Sequence, residues 1–208
     1  MALDWTVALP LLTVAVVDDD TIQVTVMRTI CTHLGYTVTG VAHNGVDAVE
    51  LARRTKPNVI LVDLHMPILD GLEAVHQISL LGHTAPVLLT ADTDPQIARK
   101  AMDAGACGYI QKPFDSAQIA AILESAWHRF QTVTALQEKN KLLDEALEMR
   151  KLTEKAKGIL MEQQGFTEDQ AHKCLLKMSQ DQGLQLKEVC RSVIQVKMLL
   201  GRKQPKVA

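Results

Sequence analysis

Over the first 130 residues, five short apolar runs recur between stretches of helical period. They are TVAVV (13–17), TVTGV (37–41), NVILVD (58–63), PVLLT (86–90) and CGYIQ (107–111). Helix-like segments lie between them near 21–34, 44–55, 71–80 and 94–104, and a further one begins at 115, with Gly35, Pro57, Gly71 and Gly105 as punctuation. VAVV and NVILV show no polar alternation, so both of their faces must be covered, as in a parallel strand of an α/β fold. Strands alternating with helices of this length predict a parallel sheet with helices on both faces. In such a sheet the chemistry belongs at the carboxyl ends of the strands.

Charge collects at those ends. Asp18, Asp19 and Asp20 follow the first run directly, and Asp63 ends the third. If the first and third strands are neighbours, Asp18, Asp19 and Asp63 share one rim. Three carboxylates there repel one another unless a hard cation neutralises them, and Mg²⁺ suits oxygen ligands while keeping waters or a phosphate in its other positions. Asp20 is placed to open the next helix, where negative charge suits the dipole. Taken singly, each of these aspartates also reads as a helix cap. A carboxylate beside Mg²⁺ is a potential nucleophile toward phosphorus. Such chemistry further requires a cation for the phosphoryl oxygens and a neutral hydroxyl. Lys112, in YIQKPF, and Thr90, ending PVLLT, supply these types at two other strand ends.

The pieces VVDDD, DLHMPILDG, LLTAD and GYIQKPF resemble, in order and spacing, the response-regulator receiver domain, over residues 11–128. The resemblance implies a doubly wound, CheY-like five-stranded sheet of order 2-1-3-4-5. It implies Asp63 as phosphoacceptor and Mg²⁺ held by Asp18, Asp19, Asp63 and the backbone carbonyl of His65. Thr90 and Lys112 would grip the phosphoryl group, and Tyr109 would be the aromatic that turns inward on activation. It also implies a cis Lys112–Pro113 bond, a sensor histidine kinase as partner, and a phosphoprotein rather than an enzyme, with loss of the phosphoryl group incidental. Only the carbonyl of His65 is required, so its ring is expected to face solvent. For Tyr109, simple packing on the sheet stays open.

After Phe114 the punctuation stops, and from Asp115 to Gln164 there is no proline and a single late glycine, Gly158. A heptad frame places Ile119, Ala126, Val133, Asn140 and Leu147 at one core position, and Ile122, Arg129, Leu136, Leu143 and Arg150 at the other. The first turns are expected to pack on the sheet, leaving about 126–150 free to pair. One Asn at a core position is a device that fixes register in a two-stranded coiled coil. Lys139 and Asp144 fall where opposite charges meet between parallel helices. Residues 129–146 therefore read as a helical coiled-coil linker; the two core arginines favour instead a lone amphipathic helix.

The charge balance changes along the chain. Residues 1–149 hold 10 Lys and Arg against 18 Asp and Glu, whereas residues 150–208 hold 12 against 6, so the second part is suited to a polyanion. It reads as three helices over 147–200. The first stops at Gly165. The second opens on Thr167 with Gln170 three residues on, a capping-box pattern, and buries Ala171, Cys174, Leu175 and Met178 before ending near Gly183. The third carries Leu186, Val189, Cys190, Val193 and Ile194. RKLTEKAKGILMEQQGFTEDQAHKCL, with Ala156, Lys157, Gly158 and Ala171 as its clearest matches, resembles the ANTAR domain over about Leu143 to Leu199. That resemblance implies dimers that bind RNA stem-loops of leader transcripts and prevent a terminator from forming, promoted by receiver phosphorylation. His172, Ser179 and Cys190 depart from the family pattern and bear on RNA affinity.

The basic residues placed for RNA are Lys155, Lys157, Lys173, Lys177, Lys187 and Arg191; the plainer reading is that they keep a small bundle in solution. No aromatic platform offers base recognition, so phosphate attraction is the legible part. Two other outputs compete. One is an adaptor whose tail binds a protein. The other is a DNA reader, disfavoured because no break follows LKEVC to begin a recognition helix. Four cysteines without a C-x-x-C indicate neither zinc nor a disulfide framework and fit a cytoplasmic protein. WTVALPLLTVAVV lacks a preceding Lys or Arg, so it is not expected to be a signal segment, and no run is long enough to span a bilayer. The tail GRKQPKVA is expected to fray.

Overall fold

A computed structural model describes residues 12–200. The expected frayed tail (201–208), the start of the apolar opening segment and residue 11 of the expected receiver lie outside them. The order is β1 (Thr13–Val17), α1 (Thr21–His33), β2 (Thr37–Ala42), α2 (Gly45–Thr55), β3 (Val59–Asp63), α3 (Gly71–Ser79), β4 (Ala85–Thr90), α4 (Pro95–Asp103), β5 (Gly108–Gln111), α5 (Ser116–Gln164), α6 (Glu168–Gln182) and α7 (Leu186–Leu200). The five strands are parallel and run β2-β1-β3-β4-β5, the CheY-like order. β3 begins one residue later than NVILVD suggests. Asn58 instead accepts from the Thr13 amide (2.9 Å) and hydroxyl (2.8 Å), tying the starts of β1 and β3.

Chain division falls between Ala135 and Leu136, inside the expected linker. In the first unit the unbroken apolar runs serve two cores. Ala15, Val17, Ile60 and Val62 pack with α2 and α3, while Val14, Val16, Val59 and Leu61 pack with Met27 and Cys31 of α1 and Ile119, Leu123 and Ala126 of α5. Alternate residues on a strand point to opposite faces, so a strand buried on both sides must be apolar throughout. Helix starts are fixed by side chains at Asp20, Asn44, Asp70 and Asp94, each accepting from an amide of the first turn.

The second unit has a small core of Ala156, Ile159, Leu175, Val189, Cys190 and Ile194. Thr167 and Gln170 form the capping box that the sequence predicts, and α6 ends at Gly183 with φ +64°. α7 continues past Cys190 without a break. Among the described residues, no helix is long and apolar enough to cross a membrane.

Candidate functional site

Strand register brings the acidic groups level. Val17 pairs with Val62, so Asp18 and Asp63 leave neighbouring strands at the same height. Asp63 in turn pairs with Leu89, one residue before Thr90, and Thr90 pairs with Gln111, one residue before Lys112. The Lys112 amide donates to the Thr90 carbonyl at 2.7 Å, and the Lys112–Pro113 bond is cis.

The Lys112 ammonium lies between two carboxylates, 2.8 Å from Asp18 Oδ2 and 2.6 Å from Asp63 Oδ1. Burial alone would lower its pKa; the hydrogen bonds and charges of Asp18 and Asp63 outweigh this and hold it above the ordinary lysine value. The remaining oxygens are also engaged: Asp18 Oδ1 accepts from the Asp20 amide (3.0 Å) and Asp63 Oδ2 from the His65 amide (2.9 Å). Asp18, Asp63 and Thr90 are buried, while Asp19 and the side chain of His65 are exposed. Asp20 caps α1 through a 2.8 Å bond from the Ile22 amide. The Thr90 hydroxyl oxygen accepts from the Asp92 amide at 3.0 Å, leaving its own proton to donate. Tyr109, 41% exposed on β5, stands in an outward position.

Two contributors were given no role at the site by the sequence. His43 places Nδ1 3.1 Å from the Asp18 carbonyl oxygen, bracing the turn after β1. Gly71 lets α3 begin directly against the phosphoacceptor candidate, since a Cβ there would lie 2.1 Å from the Asp63 carbonyl oxygen. Its place in DLHMPILDG marked only a helix boundary. Among the described residues no ready-made cage of three or more His, Cys, Asp or Glu groups occurs, because Lys112 holds Asp18 and Asp63 while Asp19 faces solvent. The donors at the rim are nonetheless oxygens alone, with three carboxylates against one ammonium, which fits a hard divalent cation that keeps several waters.

Residues 14–124 match the response regulator receiver domain and residues 141–194 match the ANTAR domain. The chain is 37% identical over 161 residues to the transcriptional regulatory protein PdtaR of Mycobacterium tuberculosis, covering 77% of this chain and 78% of that protein. The chain belongs to the ANTAR-containing response regulators. Among solved structures, it is similar to the signal receiver domain of the putative response regulator NarL from Mycobacterium tuberculosis. That likeness has 29% identity and a TM-score of 0.52, over 56% of this chain and 96% of that one. A CheY chain from Borrelia burgdorferi, 24% identical over 56% of this chain and 89% of its own, shares the fold with a TM-score of 0.53.

In the unit bearing the ANTAR match, the predicted basic contacts separate into two groups. Lys155, Lys173 and Lys177 are exposed, and none forms an ion pair among the described residues. Lys157 is buried, its ammonium 2.7 Å from Glu154 and 2.6 Å from Glu168, so it joins α5 to the start of α6. Lys187 and Arg191 both bind Glu148, each at 2.8 Å. His172 is exposed beside Lys173, Ser179 donates to the Leu184 carbonyl, and Cys190 is buried in the core. The last two departures are thus absorbed by local packing.

Proposed function

We propose that this response regulator accepts a phosphoryl group on Asp63 and, in response, binds structured leader RNA through its ANTAR unit so that a terminator does not form. The observation that carries the first half is the Asp18–Lys112–Asp63 cluster on one rim of the sheet. The donor is a phosphohistidine of a sensor kinase. An Asp63 oxygen forms the O–P bond, the N–P bond breaks, and the imidazole leaves with the electron pair and is protonated. Both Asp63 oxygens are engaged beforehand, so one contact must be exchanged. The Lys112 ammonium, on a flexible stem, is the one that can follow the phosphoryl oxygens, while the free proton of Thr90 donates to another. Asp18, Asp19, Asp63 and the His65 carbonyl would hold Mg²⁺, which offsets phosphoryl charge. Later hydrolysis resets the site and makes no separate enzyme of it.

Coupling to output is a population shift in which Thr90 draws toward the phosphoryl group and Tyr109 leaves its outward position. The state so favoured is a homodimer paired along α5. ANTAR membership, the excess of basic residues after position 150 and the regulatory name of the 37% identical relative support RNA as the target. With a small acyl phosphate and Mg²⁺, Asp63→Asn should incorporate no phosphate; incorporation equal to wild type would remove Asp63 from its role. A second reading, a tail that binds a protein, is favoured by one observation: Lys157, Lys187 and Arg191 are engaged internally. RNA affinity that falls with salt and rises on phosphorylation supports the first reading; weak, salt-independent binding supports the second.

A further inference from the structure

Two of the basic residues on α7 converge on a single carboxylate. Lys187 Nζ lies 2.8 Å from Glu148 Oε2, and Arg191 Nη2 lies 2.8 Å from Glu148 Oε1. Four residues apart, the two cations sit on one face of the helix. They grip the two oxygens of the carboxylate separately, as two cations grip the two non-bridging oxygens of a phosphodiester. We propose that Lys187 and Arg191 form a phosphodiester-binding site which Glu148 fills in the free protein and which RNA opens by displacing it. This rests on the RNA-binding reading and goes beyond it by naming a site and what covers it.

The Glu148 clamp differs from the neighbouring ion pairs. The Lys157 side chain is only 9% exposed and fixed between carboxylates of two helices, so it is a structural tie that a ligand cannot reach. Lys197 has a single partner among the described residues, Glu162. In the Glu148 clamp the side chains are 47%, 31% and 57% exposed for Glu148, Lys187 and Arg191. An exposed pair contributes little to stability, so exchange is inexpensive for the fold. A polyanion that releases its counterions holds an advantage over one carboxylate. Glu148 also lies off the heptad seam, since Leu147 and Arg150 occupy the core positions beside it. Pairing of α5 therefore leaves the clamp open to RNA.

The test is RNA affinity of the full-length chain for a structured hairpin, measured across salt concentrations. Glu148→Gln should tighten binding on the order of three- to tenfold and steepen the slope of log K against log salt by roughly 1. Glu148→Asp, which keeps the charge but shortens the reach, should fall between the two. Adding Lys187→Gln and Arg191→Gln to Glu148→Gln should abolish the gain. Unchanged affinity and slope in Glu148→Gln, with salt-sensitive wild-type binding, overturns the proposal and leaves the RNA reading standing. Weaker binding by Glu148→Gln makes Glu148 a brace for α7 and also overturns it, as does a gain that survives removal of both cations. No salt-sensitive binding by wild type or Glu148→Gln overturns the RNA reading, and the site with it.

Discussion

Ile68 is a β-branched residue with φ +72°, 82% exposed, in the loop that leads from Asp63 to α3. A left-handed conformation costs an L-residue about 1–2 kcal/mol, most for branched side chains. The loop tolerates this because both ends are fixed: the His65 amide donates to Asp63 Oδ2, and the Gly71 amide donates to the Leu64 carbonyl at 2.8 Å. Ile68→Asn, which accepts the same backbone at lower cost, should raise stability by about 0.5–1 kcal/mol in urea titration. An unchanged or lower midpoint would mean that the isoleucine side chain contributes packing that outweighs the strain. Legibility at this scale follows from chemistry. Asp18, Asp63, Thr90 and Lys112 were visible because polar residues at the ends of apolar strands are conspicuous. His43 was invisible, since its contact with a backbone carbonyl leaves no pattern in sequence.

At the scale of an element, α5 changes role along its length. Ile119, Leu123 and Ala126 are buried against the sheet. Val133, Leu136, Leu143 and Leu147, which follow the heptad frame, are 45–58% exposed. Leu142, 67% exposed, lies outside that frame. Such a stripe is an apolar face without a partner among the described residues, and the proposed dimer would give it a matching seam. Leu136→Asp combined with Leu143→Asp should shift the phosphorylated protein to monomer in sedimentation equilibrium while Asp63 still takes phosphate. Both leucines are more than half exposed, so the change should disturb the single chain little. A dimer that persists unaltered would exclude this seam. The spacing of these residues was readable from sequence, whereas the point at which the helix leaves the sheet was set by packing.

For the whole molecule, the division of charge is the organising fact, with 18 acidic residues in 1–149 and 12 basic ones in 150–208. Acidic groups in the first part converge on a rim where Lys112 is the counter-ion among them. In the second part, Lys157, Lys187, Arg191 and Lys197 are engaged by glutamates, so the excess of positive charge overstates what a polyanion meets at once. Among the described residues Lys155 is exposed without an ion-pair partner, and so are Lys173 and Lys177, which lie together on α6. Substituting both by Ala should weaken RNA binding several-fold and flatten the salt slope by about 0.7 for each phosphate that is no longer neutralised. Phosphate uptake by Asp63 should not change. A slope equal to wild type would place the RNA elsewhere.

Sequence by itself determined the parallel α/β architecture, the helix caps and the rim on which the acidic groups gather. These follow from local rules: buried strands must be apolar on both faces, and side chains that cap helices act within a turn of their own position. Tertiary structure alone decided which opposite charges meet. Lys112 reaches Asp18 across 94 residues and Asp63 across 49, and Glu148 reaches Arg191 across 43. Coulombic contacts carry no period along the chain, so only the folded register shows which cations are held and which remain available.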